Sequence, residues 1–178
     1  MDSLAPSRIW VMRLSYAGLA MVILFFHLLP LDTLPKRWAS PDLLLALTLA
    51  WSLRRPDFVP PLLIAIVILL ADLLLQRPPG LLAALTVAGT VFLHSRFGNH
   101  GETGFVAEWL AVAVVLMAIA LLYRIVLAIT SVDQAPLFLV ASQLVLTILI
   151  YPLVAGASQA VFGVRHLTPA DAETLGAR

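Results

Sequence analysis

Pro41-Asp42-Leu43-Leu44-Leu45 leads into Trp51-Ser52-Leu53-Arg54-Arg55-Pro56, and further on stands Ala71-Asp72-Leu73-Leu74-Leu75-Gln76-Arg77-Pro78-Pro79-Gly80-Leu81-Leu82-Ala83-Ala84-Leu85. Prolines fall mostly between the apolar runs and mark where helices start and stop. Ser40-Pro41-Asp42 reads as a helix start, with Ser40 as N-cap, proline at the first helical position and an acid in the first turn. The helix it opens runs to Leu53 and spans about 13 residues, roughly 20 Å at helical rise. That is short for a crossing of about 30 Å, so it must thin the bilayer, tilt little, or sit partly inside a bundle.

The rest of the chain has the same character. Of 178 residues, 61% are hydrophobic and 12% charged, with mean hydropathy +1.00. A soluble domain holds about 45–50% apolar and about 25% charged residues, so a water-soluble globular enzyme and a disordered chain are both excluded. The chain reads as an all-α polytopic membrane protein. Its spans are placed at 14–30, 41–53, 58–75, 80–93, 105–130 and 137–162, in one transmembrane domain. Five spans is the alternative, should one short run be re-entrant. The first run also resembles a signal peptide, but no small-residue cleavage site follows in Leu31-Asp32-Thr33-Leu34-Pro35, so an uncleaved span is expected. Pro152 falls inside the last run, where a kink is expected.

With six spans and a cytoplasmic N-terminus, Arg8, Arg13, Arg54, Arg55, Arg96, Arg165 and Arg178 fall inside, and Lys36, Arg37 and Arg77 outside. This asymmetry places both termini in the cytoplasm. The near-neutral balance, 11 basic against 10 acidic residues, is no footprint for nucleic acid.

No cysteine is present, which removes disulfides, zinc–thiolate sites and thiol nucleophiles. No phosphate-binding loop, hydrolase elbow, zinc-protease or dinucleotide motif occurs. His94 and His100 share a loop with Glu102, which a solvated loop explains as well as a metal does. No catalytic residue, cofactor or metal is expected. Of the intramembrane charges, Asp72 and Arg124 fall in the same leaflet and can form a pair; the alternative is that each snorkels separately, Asp72 toward Arg77. Small residues four apart (Ala46 and Ala50, Ala84 and Ala88, Ala107 and Ala111, Gly156 and Ala160) permit close helix approach. Gly156 and Ala160, with Ser158 and Gln159, form a candidate partner face. Trp10, Trp38, Trp51 and Trp109 stand near span ends and suit interfacial anchoring.

The 41–85 segment resembles the MreD family of bacterial rod shape-determining membrane proteins, in its alphaproteobacterial form. In that family a short second helix opens after a proline, and an aspartate ends the third helix before a proline–glycine turn and an Ala-Leu start to the fourth. Asp72, Pro79, Gly80 and Leu85 match, while Val91-Phe92-Leu93-His94 departs from the family's acid-plus-arginine ending. The resemblance implies a non-catalytic scaffold of the peptidoglycan elongation complex in the inner membrane. It would bind MreC directly and act alongside RodA, its penicillin-binding transpeptidase and MreB. It also implies a fold similar to the membrane substrate-binding subunits of energy-coupling-factor transporters. That likeness supplies the alternative function, a vitamin-binding subunit of a transporter.

Overall fold

Proline placement and apolar run length set the helix boundaries. The computed structural model describes residues 6–29, 39–97 and 104–163. It is all-helical there: α1 (Pro6–Leu28), α2 (Leu43–Arg54), α3 (Pro61–Leu74), α4 (Leu81–Phe97), α5 (Phe105–Ile129) and α6 (Leu137–Phe162). Three of these, α1, α5 and α6, are long and apolar enough to cross a membrane.

Several boundaries differ from expectation. Helix α1 starts at Pro6, not Leu14, so Arg8 and Arg13 ride on its first turns. Helix α2 is capped by Asp42, not Ser40: the Asp42 carboxylate accepts from the Leu45 N–H at 3.0 Å. Phe58 and Val59 belong to the turn before α3, where both are buried. Pro60 and Pro61 then open the helix, since neither could donate a hydrogen bond from its interior. Helix α4 continues past Leu93 to Phe97; His100 and Glu102 lie outside the described residues, as does Trp38.

In α6, burial inverts the pattern of a water-soluble bundle. The buried residues of α6 are Ser142, Thr147, Tyr151, Ala155 and Ser158, whereas Leu149, Leu153 and Val161 are exposed. A helix whose inward stripe is polar or small and whose outward face is large and aliphatic is suited to hydrocarbon, not water. Helix α5 is aliphatic on both sides: Leu110, Val114, Leu121 and Ile129 face outward, while Val112, Val115, Leu116 and Ile119 are buried. The chain is therefore a helical membrane protein.

The short α2 sits inside the bundle, one of the three options left to so short a helix. Every residue from Leu44 to Arg54 is buried. It packs on α6 and α4, with α1 beside it; α3 packs on α4, and α5 lies between α4 and α6. Tyr16 of α1 hydrogen-bonds Thr48 at 2.8 Å, and the Thr48 hydroxyl donates to the Leu44 carbonyl. The Arg13 guanidinium donates twice to the Asp57 carbonyl, tying α1 to the α2–α3 turn. In that turn Arg55 stacks on the Phe58 ring at 4.4 Å. Burial lowers its pKa from the ordinary guanidinium value, Asp57 opposes the shift and Arg8 adds to it.

Of the four small-residue pairs, only Ala46 and Ala50 are both buried between helices; Ala84, Ala88, Gly156 and Ala160 face outward. A close approach occurs elsewhere, at Gly89. A methyl there would lie 2.8 Å from Val115 Cγ1 and 3.2 Å from Ile119 Cδ1. Val115 is stiff at χ1 in a helix, so it cannot easily swing aside. Overpacking costs about 1–3 kcal/mol, and alanine recovers about 1 kcal/mol of helix propensity. Gly89→Ala should therefore lower unfolding stability in detergent by about 1 kcal/mol net. A stabilised variant would show that α4 and α5 can part without cost.

Candidate functional site

Three arrangements concentrate the polar chemistry of the bundle. The first lies where α2 ends and α5 begins. Arg54 and Glu108 are both buried and form a two-pronged ion pair, Nε to Oε1 at 3.0 Å and Nη2 to Oε2 at 3.3 Å. The Tyr151 hydroxyl donates to Glu108 Oε1 at 2.6 Å, and Arg54 Nη1 donates to the Ala155 carbonyl at 3.1 Å. The fork of a guanidinium matches a carboxylate in this way. The signs also suit the helices, because Arg54 stands in the last turn of α2 and Glu108 in the first turn of α5. Around the pair, Trp51 donates to Ser158 Oγ at 3.0 Å. Pro152 has no N–H to give the Ile148 carbonyl, and Trp109 fills that place by donating to it at 2.9 Å.

These contacts correct two expectations. Trp51 is fully buried and Trp109 half-buried, so both are packing and hydrogen-bonding residues rather than interfacial anchors; Trp10 alone of the described tryptophans is largely exposed. Ser158 points inward to Trp51 and does not belong to the outward Gly156–Ala160 face. The Arg54–Glu108 pair was not expected at all. Its signal lay in a basic residue at one helix end and an acid at the start of another, assigned to the same side of the membrane.

The second arrangement joins α3 to α4. Asp72, wholly buried near the end of α3, accepts from the Gly80 N–H through Oδ2 at 3.1 Å. The Leu82 and Ala83 N–H groups also face this carboxylate, while Oδ1 itself falls short of a hydrogen bond. Between the two helices Pro79 and Gly80 make a turn, closed by Leu81 N–H to the Pro78 carbonyl at 3.5 Å. Proline at the second position and glycine at positive φ (85°) at the third are what a type II turn requires. Asp72 thus braces the start of α4 from a neighbouring helix, satisfying the Gly80 N–H, and sets a carboxylate at that helix's N-terminus.

The expected Asp72–Arg124 pair is not formed. Asp72 is taken by the turn, Arg124 donates to the Ala135 carbonyl at 3.1 Å, and no ion pair links them among the described residues. Arg77 reaches Asp42 instead, at 3.8 Å. Asp72 and Arg124 each find a partner nearer along the chain, eight and eleven residues away.

The third arrangement is a cavity of about 430 Å³ at the end of the bundle that carries Asp42, Arg77 and Arg124. Helices α2, α4, α5 and α6 and the turns after α3 and α5 surround it. Among the described residues, no cluster of three or more acids and histidines is placed to hold a metal ion. None of the family models, curated proteins or solved structures compared with this chain matches it.

Proposed function

We propose that the chain is a non-catalytic membrane scaffold of the MreD kind, working in the elongation machinery of the cell wall. The observation that carries this reading is the Asp72 carboxylate bonded to Gly80 across the Pro79 turn. It gives a physical reason for the aspartate, proline and glycine on which the sequence resemblance rests: each is needed to set the angle between α3 and α4. The polar groups of the first two arrangements are largely spent within the bundle, as suits a body whose business is shape. In this reading all six helices are inserted in the bacterial inner membrane, with both termini in the cytoplasm. The partner is the single span of MreC, with RodA, its transpeptidase and MreB in the same complex. The outward Gly156 and Ala160 remain the candidate contact.

Depletion in a rod-shaped host tests the role: cells should round up, and unchanged rods would count against it. Cysteine crosslinking from position 156 or 160 to the MreC span tests the contact, and the absence of native cysteine keeps it clean. A second reading, a vitamin-binding subunit of a transporter, is favoured by the cavity beside Arg124. Retention of a vitamin through purification in mild detergent would support that reading over the scaffold.

A further inference from the structure

The cavity beside Arg124 is lined mostly by apolar side chains, among them Leu45, Leu82, Leu116, Ile119 and Leu144. Tyr123 and Gln143 also line it, and among the described residues neither the Tyr123 hydroxyl nor the Gln143 side-chain amide makes a hydrogen bond. Arg124 completes the wall. A guanidinium offers five N–H donors, and here one goes to the Ala135 carbonyl. Among the described residues no carboxylate lies within ion-pair distance of it. A half-buried guanidinium with free donors at the end of a membrane bundle is suited to an anion.

The other charges of the cavity are already accounted for. Arg77 faces Asp42, whose carboxylate also caps α2. Asp133 is exposed on the loop after α5, where water and salt screen it. The volume, about 430 Å³, falls within the range of small-ligand pockets, which are mostly apolar with a few directed polar groups.

We propose that this cavity binds an amphipathic anion, its phosphate or carboxylate held by Arg124 with Tyr123 and Gln143, and its hydrocarbon packed on Leu116 and Ile119. The site holds under either reading of the cellular role, since it rests on the cavity alone. Such a molecule could come from the bilayer, as a lipid headgroup with its chain, or from water, as a small organic acid.

The test is thermal unfolding of the full chain in a neutral detergent with four probes: 1-oleoyl lysophosphatidic acid, hexyl phosphate, mono-olein and inorganic phosphate. At least one alkyl phosphate should raise Tm saturably, while mono-olein and inorganic phosphate should not. A response to the long chain alone assigns the ligand to the bilayer; a response to hexyl phosphate assigns it to the soluble pool. Arg124→Gln should raise the half-saturating concentration about tenfold, the loss expected for hydrogen bonds to a charged group. Ala120→Phe, which fills the cavity, should abolish the response; Gln143→Leu, a milder change, serves if that variant fails to fold. The proposal is overturned if no alkyl phosphate shifts Tm, if mono-olein or inorganic phosphate does as well as an alkyl phosphate, or if the response survives Arg124→Gln unchanged.

Discussion

Glu108→Ala is expected to cost about 3–5 kcal/mol of stability, because it leaves the Arg54 guanidinium buried without its carboxylate. Both side chains are almost out of reach of solvent, at 6% and 2% exposure, so neither water nor salt can replace the missing partner. Tyr151 would lose its acceptor in the same step. Glu108→Gln should fall between wild type and Glu108→Ala, since it keeps an oxygen for Tyr151 but not the charge. The decisive variant is the double one. Replacing both partners with apolar groups of similar size is often neutral, so Arg54→Met with Glu108→Leu should recover most of the loss. Denaturant unfolding in mixed micelles would read this as a strongly non-additive cycle. If the two single losses simply summed, the pair would be two independent polar residues that happen to lie close together.

Much of the architecture was legible because the forces that set it are local. Apolar runs and proline clusters located all six helices, and a 12-residue α2 had to be either a strained crossing or an interior element. Which face of a helix turns inward was not legible. In Trp51 the sequence offers a large ring with one N–H near a helix end, which fits an interface or a buried contact equally well. Only the position of Ser158, 107 residues further along the chain, decides between them. The Arg54–Glu108 pair stayed hidden for a related reason. Counting basic residues by side placed Arg54 in a loop, yet the helix runs through it and turns it into the bundle. The pattern of Asp72, Pro79 and Gly80 was visible, but the contact behind it was not. A pair with Arg124 satisfied the leaflet geometry, whereas an N–H group eight residues away satisfied the same carboxylate with far less chain to order.

That local choice makes Asp72→Ala the second large effect, expected to cost about 2–3 kcal/mol. The part-buried Gly80 N–H loses its acceptor, which alone costs about 1–3 kcal/mol, and α4 loses the negative charge at its N-terminus. Asp72→Asn keeps one acceptor oxygen and should lose less than half as much. Gly80→Ala attacks the same turn from its backbone, since a φ of 85° is strained for any residue with a Cβ, at about 1–3 kcal/mol. Once the turn has opened, the second change has less left to break, so Asp72→Ala and Gly80→Ala together should cost less than their sum. Arg124→Leu provides the contrast. Its guanidinium meets the Ala135 carbonyl rather than Asp72, so its effect should add to that of Asp72→Ala without rescue. Unfolding of the single and double variants in detergent measures both cycles. Partial recovery of Asp72→Ala by Arg124→Leu would mean that the two charges meet across the bundle after all. Sub-additivity with Gly80→Ala alone would establish the α3–α4 turn as the place where this aspartate acts.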